Sequence, residues 1–431
     1  MKILINPSDK VLAEALKRPK LGEIQLEETV KTVFREVEQN GDAALFRFTE
    51  QFDGVQLDKL KVSETEISQA ENLLSASLKK AIRIAAGNIE RFHASQQQTE
   101  EMIETMPGVT CWRKAVAVQS VGLYIPGGTA PLFSTVLMLG IPAKIAGCPQ
   151  RILCTPPAKD GTVHPAVLFA ASVAGINEIY KVGGSQAIAA MSLGTESIPK
   201  ADKLFGPGNQ YVTAAKQYAQ QSGIAIDLPA GPSEVLVAAD DSVPARFIAA
   251  DLLAQAEHGA DSQVVLVTDS ELFVAEIQQE LKEQLSQLPR SEIAQQALEN
   301  SVAIVVDALK WAEIINQYAP EHLILMGKYE QEIIAKVVNA GSVFLGEFTA
   351  ESFGDYASGT NHTLPTAGYA RAYSGVSLDS FVKKITYQRI SENGLKNLGN
   401  TVIELAKAEQ LEAHAQAIEV RLAQINQISQ P

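Results

Sequence analysis

Six histidines punctuate this 431-residue chain, His93, His164, His258, His322, His362 and His414, and several stand beside acids or amides. Gln255-Ala-Glu-His258 lies on an apolar helical stretch, where a spacing of three puts Gln255 and His258 on one face. Such a pair can bind a metal, although a lone histidine there also serves as a hydrogen-bonded structural group and glutamine is an uncommon zinc ligand. Ala319-Pro-Glu321-His322 directly precedes an apolar strand, so an acid and a base meet at a strand edge. They can divide water activation and proton transfer between them; an idle surface pair is the plain alternative. Glu351 to His362, ESFGDYASGTNH, reads as a polar, glycine-bearing loop in which Asp355 offers a hard oxygen ligand. Glu409 and His414 sit on a tail helix, about 140° apart around an ideal helix. They could share a site only at a helix end or through long reach, and a solvated face explains them as well.

Three glycine-bearing loops each follow a predicted strand and precede a helix: VGLYIPGGTAPL (Val121–Leu132), GGSQA (Gly183–Ala187) and FGPGN (Phe205–Asn209). Adjacent glycines at such turns let backbone N–H groups converge on an anion, so a phosphate-bearing cofactor fits, as do simple tight turns. None matches the GxGxxG dinucleotide fingerprint. Cys148 and Cys154 flank a predicted strand start with no local His or Asn to lower a thiol pKa, which favours buried structural cysteines over a nucleophile.

The elements that must position these groups alternate in type. Leu26 to Leu78 reads as amphipathic helices, with an apolar stripe through Val30, Val33, Phe34 and Val37 and a stop at Gly41-Asp42, and a long polar helix follows through Phe92. Predicted strands then cover 116–123, 151–154, 178–182, 234–238, 263–267, 303–306 and 323–326, separated by helical stretches. That alternation predicts a parallel-sheet α/β architecture. Residues 121–233 form one α/β unit inserted into a second, made of 23–120 and 234–369. Residues 1–22 are an N-terminal segment, and 370–431 a mainly helical tail too short to bury its own core.

Composition narrows the function. A formal net charge of −14 repels phosphate backbones and argues against nucleic-acid binding. Three cysteines without a CxxC pair fit a reducing compartment, and the polar start MKILINPSDK lacks the apolar core of a secretory signal, so a cytoplasmic location is expected. Residues 115–143 carry no charge, yet Pro126, Gly127, Gly128, Pro131 and Pro142 break the run, as a lipid-exposed backbone could not. A strand, a glycine loop and a buried helix account for it better.

Taken in order, VGLYIPGG, AGPSEVL, QAEHG, APEHL, FGDYASGTNHTLPT, ARAYSG and AExLxAH resemble the histidinol dehydrogenase family, from NGDAAL near Asn40 to His414. The resemblance implies two Rossmann-like α/β domains lacking GxGxxG, with small N- and C-terminal helical segments. It implies a zinc-dependent dehydrogenase that oxidises L-histidinol through L-histidinaldehyde to L-histidine, consuming two NAD in succession. By the resemblance, Gln255, His258, Asp355 and His414 are the zinc ligands, and they contact substrate together with Ser233, His322 and Glu409. Tyr124, Gln186 and Asn209 become NAD contacts, His322 the base and Glu321 the water-activating group. It further implies a homodimer whose Glu409 and His414 reach the neighbouring subunit's site. The stretch from Lys159 to His164 is longer than the family pattern. A related dehydrogenase of another amino alcohol or sulfonate, and a catalytically silent zinc-binding relative, are the competing readings.

Overall fold

Strand sequences such as EVLVAA and QVVLVT have no polar face, which suits strands covered on both sides in a parallel sheet. In the computed structural model both are buried along their whole length. The structure describes residues 1–18, 23–127, 131–229 and 231–428. Gly128 of the first glycine loop, Ala230 of AGPSEVL and residues 19–22 of the expected N-terminal segment lie outside them. The chain divides into two units, Met1–Gln96 with Val118–Phe381, and Gln97–Ala117 with Val382–Pro431.

The first unit is mixed α/β and contains two all-parallel sheets. One has the order β1 (Lys2–Ile5), β11 (Val302–Val305), β10 (Gln263–Thr268), β9 (Glu234–Ala239), β12 (His322–Met326), β13 (Ser342–Leu345). The other runs β6 (Glu178–Lys181), β5 (Gln150–Thr155), β4 (Ser120–Tyr124), β7 (Lys203–Phe205), β8 (Ala225–Ile226). Each sheet grows outward from an inner strand, β9 or β4, and then reverses to that strand's other side. Such a reversal opens a crevice between the two diverging connections.

Helix Glu23–Phe48 buries Val30, Val33, Phe34 and Val37 against helices Gly184–Leu193 and Gln210–Gln221 of the five-stranded layer. The stop signal at Gly41 is a kink rather than an end, with φ 49° and ψ −130° inside the helix. The uncharged stretch supplies the end of β3 (Val109–Ala117), β4 and helix Phe133–Ala146, buried from Ser134 to Ala143. No described helix is long and apolar enough to cross a membrane.

Two expectations need correction. The strand predicted over 116–123 is two strands in different units, because the Val118 N–H bonds the Phe381 carbonyl and the Ser120 N–H bonds the Asp202 carboxylate. In the second unit β3 pairs antiparallel with β2 (Met102–Met106) and β14 (Val382–Ile390). The tail is therefore not helical from its start: β14 precedes helices Glu392–Ala408 and Glu412–Ile428. Its sequence, VKKITYQRI, is largely exposed and carries no continuous apolar face to announce a strand.

The close seam between β4 and β7 rests on Gly206, whose φ of 131° favours glycine and whose Cβ, if present, would overlap the Tyr124 carbonyl oxygen. Gly206→Ala should lower stability by about 1–3 kcal/mol from backbone strain alone. A thermal unfolding midpoint equal to the parent's would show that this seam yields at no cost.

Candidate active site

A pocket of about 860 Å³ lies between the two sheets of the first unit. Pro126, Pro207, Gly208 and Asn209 line it from the carboxyl edge of the five-stranded sheet, and Ser233, Glu321 and His322 from the amino edge of the six-stranded one. The first edge is where open α/β sheets receive ligands. The second brings the reactive side chains.

Helix Trp311–Tyr318 ends at Ala319, held at φ 52°, and Pro320 prevents its continuation, so Glu321 and His322 enter β12 with fixed directions. The Gly341 and Ser342 N–H groups bond the Pro320 and Glu321 carbonyls, each at 2.9 Å. Glu321 is buried, and its carboxylate accepts the Glu234 N–H at 3.0 Å. His322 Nδ1 lies 3.7 Å from Glu321 Oε2 and 4.0 Å from Glu351 Oε1, while Nε2 lies 3.4 Å from Asp355 Oδ1.

Gln255, buried near the end of helix Ala245–Ala256, and His258, one turn on, both face this pocket. The Gln255 amide is satisfied in one orientation, with its nitrogen donating to Glu351 and its oxygen accepting the Glu234 N–H at 2.8 Å. Asp355 belongs to a short helix, Glu351–Tyr356, and not to the loop expected from its polar sequence. That helix also presents Glu351, four residues earlier and so on the same face. Sequence reasoning missed Glu351; its i, i+4 spacing from Asp355 was the available signal.

His258, Glu351 and Asp355 can each aim a ligand atom so that all three lie within 4.8 Å of one another. The Glu351 Oε2 and His322 Nε2 atoms are buried without a hydrogen-bond partner. Burial pushes the Glu321 pKa up to about 8, partly offset by His322, and it raises Glu351 as well. For His322 burial acts downward, but Glu351, Glu321 and Asp355 outweigh it and raise the pKa to about 10. His258 reaches the open pocket, yet the protein around it lowers its pKa. Carboxylate and imidazole donors with unspent lone pairs and an excess of negative charge suit a divalent cation such as Zn²⁺.

The remaining predicted positions scatter more widely. Asn209 is exposed on the pocket wall and caps helix Gln210–Gln221 by accepting the Tyr211 and Val212 N–H groups. Tyr124 is buried at the end of β4, where its hydroxyl accepts the Gly184 N–H at 3.0 Å; burial pushes its pKa up to about 12. Gln186 is buried in the helix that Gly184 opens, Gly184–Leu193, and neither it nor Tyr124 lines the pocket. Glu409 and His414 belong to the second unit, exposed on either side of a turn with Gln410 at φ 61°, so they share no single helix. His362, previously only a motif's end, lines the pocket: its Nδ1 donates to the Asp355 carbonyl at 2.9 Å and its Nε2 accepts from Thr135 at 3.0 Å. Cys148 and Cys154 are buried, and burial raises both thiol pKa values, Cys148 to about 11.

Two parallel sheets meeting over a buried glutamate–histidine pair define an α/β enzyme with an acid–base pocket. Comparison with known proteins makes it an oxidoreductase. A family model described as histidinol dehydrogenase matches residues 16–422. The chain is 57% identical over 423 residues to a histidinol dehydrogenase of Bacteroides thetaiotaomicron, covering 98% of this chain and 99% of that one. With that of Xanthomonas campestris pv. campestris it shares 51% over 412 residues, covering 95% and 96%. A crystal structure of histidinol dehydrogenase from Elizabethkingia anophelis superposes with a TM-score of 0.96 at 54% identity, covering 99% of each chain. The chain belongs to the histidinol dehydrogenase family.

If the His258 cluster holds a cation, Zn²⁺ added to metal-free protein should raise its unfolding midpoint, by an amount equivalent to about 2.7 kcal/mol at one hundred times Kd. His258→Ala should lose most of that rise. An equal rise in the variant would move the cation off this cluster.

Proposed function

We propose that the protein catalyses two successive NAD-linked oxidations, of L-histidinol to L-histidinaldehyde and then to L-histidine, with one zinc per subunit, as the last step of cytoplasmic histidine biosynthesis. The observation that carries this reading is the Glu321–His322 pair set against His258 and Asp355 in one pocket, with buried Glu351 beside them. Both sheets wind in the order expected of Rossmann-like domains, which supports residues 121–233 as an inserted NAD-binding domain lacking GxGxxG, flanked by 23–120 and 234–369. Tyr124, Gln186 and Asn209, at the carboxyl edge of its sheet or the helix starts beyond, are the proposed NAD contacts.

Gln255, His258 and Asp355 would hold zinc together with His414 of the partner subunit. Ser233 and Glu409 of the partner subunit would complete the substrate pocket. When bound, zinc supplies a Lewis acid that fixes the substrate's nitrogens, and NAD supplies a hydride acceptor. His322 takes the hydroxyl proton in the first oxidation. Glu321 then draws a proton from the water that adds to the aldehyde, and His322 receives the proton released by the second oxidation. A histidine raised to about 10 is protonated at neutral pH, and a glutamate raised to about 8 is largely neutral. Neutralising Glu351 and Asp355 with a dication restores a basic imidazole, and the same positive charge favours ionised Glu321.

The tail, residues 370–431, fits a role in a homodimer, since Glu409 and His414 are exposed and the two helices and the turn between them also expose Leu405, Leu411 and Val420.

His322→Ala should cut kcat by roughly 10²–10⁴-fold while zinc content stays at the parent's. Loss of zinc in parallel would make His322 a ligand instead. For the shared site, subunits carrying His414→Ala and His258→Ala, each inactive, should regain activity when mixed, because one site of each heterodimer then carries neither lesion. Verified heterodimers without activity would confine each site to one subunit.

A further inference from the structure

Arg18 and Glu234 stand outside the pocket lining, yet Glu234 bonds both the backbone and the carboxylate of Glu321, and Arg18 holds Glu234. Glu234 opens β9 and is buried. Its Oε2 accepts Arg18 Nε at 2.6 Å and its Oε1 accepts Arg18 Nη2 at 2.7 Å, a two-point fork that fixes the carboxylate plane. The same Oε1 accepts the Glu321 N–H at 3.3 Å, the Glu234 N–H donates to Glu321 Oε2 at 3.0 Å, and the Glu234 carbonyl faces His322 Nδ1 at 3.4 Å. Arg18 is itself clamped: Nη2 donates to the Tyr318 carbonyl at 2.7 Å, and the guanidinium lies 4.0 Å from the centroid of the Tyr318 ring. The Tyr318 hydroxyl in turn donates to Gln263 at 2.9 Å.

We propose that Arg18 and Glu234 are a positioning pair for the reaction, holding Glu321 in register through two bonds from Glu234 and balancing the second carboxylate beside it. The inference rests on the reading of Glu321 and His322 as the acid–base pair. Without the guanidinium, two buried carboxylates face each other unpaired, and the ionised Glu321 needed for water activation is disfavoured. The effect is therefore specific to one step. Oxidation of the aldehyde, which needs Glu321, suffers more than oxidation of the alcohol, which needs only His322. An ion pair serving only the fold would lower stability and slow both steps alike.

The test compares single-turnover rates on histidinol and on histidinaldehyde, with zinc content and unfolding midpoint measured for each variant. Arg18→Met should slow the aldehyde step about 10- to 100-fold, the range set by a hydrogen bond to a charged group. The alcohol step should change by much less, with KM for histidinol and zinc content as in the parent. Arg18→Lys keeps the charge without the fork and should fall between the two. Should Arg18→Met not fold, the double variant Arg18→Met, Glu234→Gln leaves no unpaired buried charge; it should fold and still show a slow aldehyde step, because its amide is no longer held by a fork. Equal slowing of both steps, or parental rates in a folded variant, would overturn the inference. Glu321→Gln, assayed alongside, separates the two levels. If it spares the aldehyde step, the acid–base reading fails; if it slows that step while Arg18→Met does not, only the positioning role fails.

Discussion

Burying several carboxylates in one place is the constraint on which the rest of this structure depends. Glu234, Glu321, Glu351 and Asp355 converge within one pocket and its immediate backing, most of them shielded from water. Taking such charges out of water costs several kcal/mol each unless they are paired or hydrogen-bonded. Arg18 answers for Glu234, the Glu234 N–H for Glu321, and the His258, His322 and His362 imidazoles for Asp355. Glu351 keeps an oxygen with no donor among the described residues. The Glu351 carboxylate faces the His258 and Asp355 ligand atoms, the arrangement a cation would complete.

The sheets supply the means. At the amino edge of a parallel sheet the first strand residues point N–H groups away from the ladder, ready to receive acceptors. The N–H of Glu234 does so for Glu321 and for Gln255. At the carboxyl edge of the other sheet, Gly183 and Gly206 let turns pass close to their neighbours, the first against Pro156 and the second against Tyr124. One edge gathers side chains around donors, and the opposing edge leaves room. A pocket facing both has reactive groups on one wall and open backbone on the other.

Much of this was legible in the sequence because it is written locally. The runs EVLVAA, QVVLVT and HLILM are strands over nearly their whole extent, and the QAEH and APEH spacings deliver Gln255, His258, Glu321 and His322 to one pocket. Other features left no local trace. Strands β7 and β8 have three and two residues, too few to show alternation, and β14 is exposed along most of its length. Glu351 stands four residues before Asp355, a spacing that places both on one face only once the polar segment is helical. Arg18 pairs with a residue 216 positions away, and no periodicity encodes such a partner. The break between Glu409 and His414 hangs on Gln410 taking a left-handed backbone, which its side chain does not advertise.

The edge strand β1 has a consequence for how the chain is made. Lys2 to Ile5 find their ladder partner only at Val302 to Val305. At ribosomal speeds, about 300 residues of synthesis separate the two, roughly 15–60 s during which β1 has no neighbour. Ile3 and Ile5 remain exposed even in the finished sheet, so the unpaired strand presents both apolar side chains and open backbone groups to water for that interval. Arg18, which follows it, can close on Glu234 before β11 exists, but Tyr318, which clamps Arg18 from its other side, emerges later still. The pocket, whose lining runs from Leu26 to His362, needs nearly the whole first unit before it can be complete.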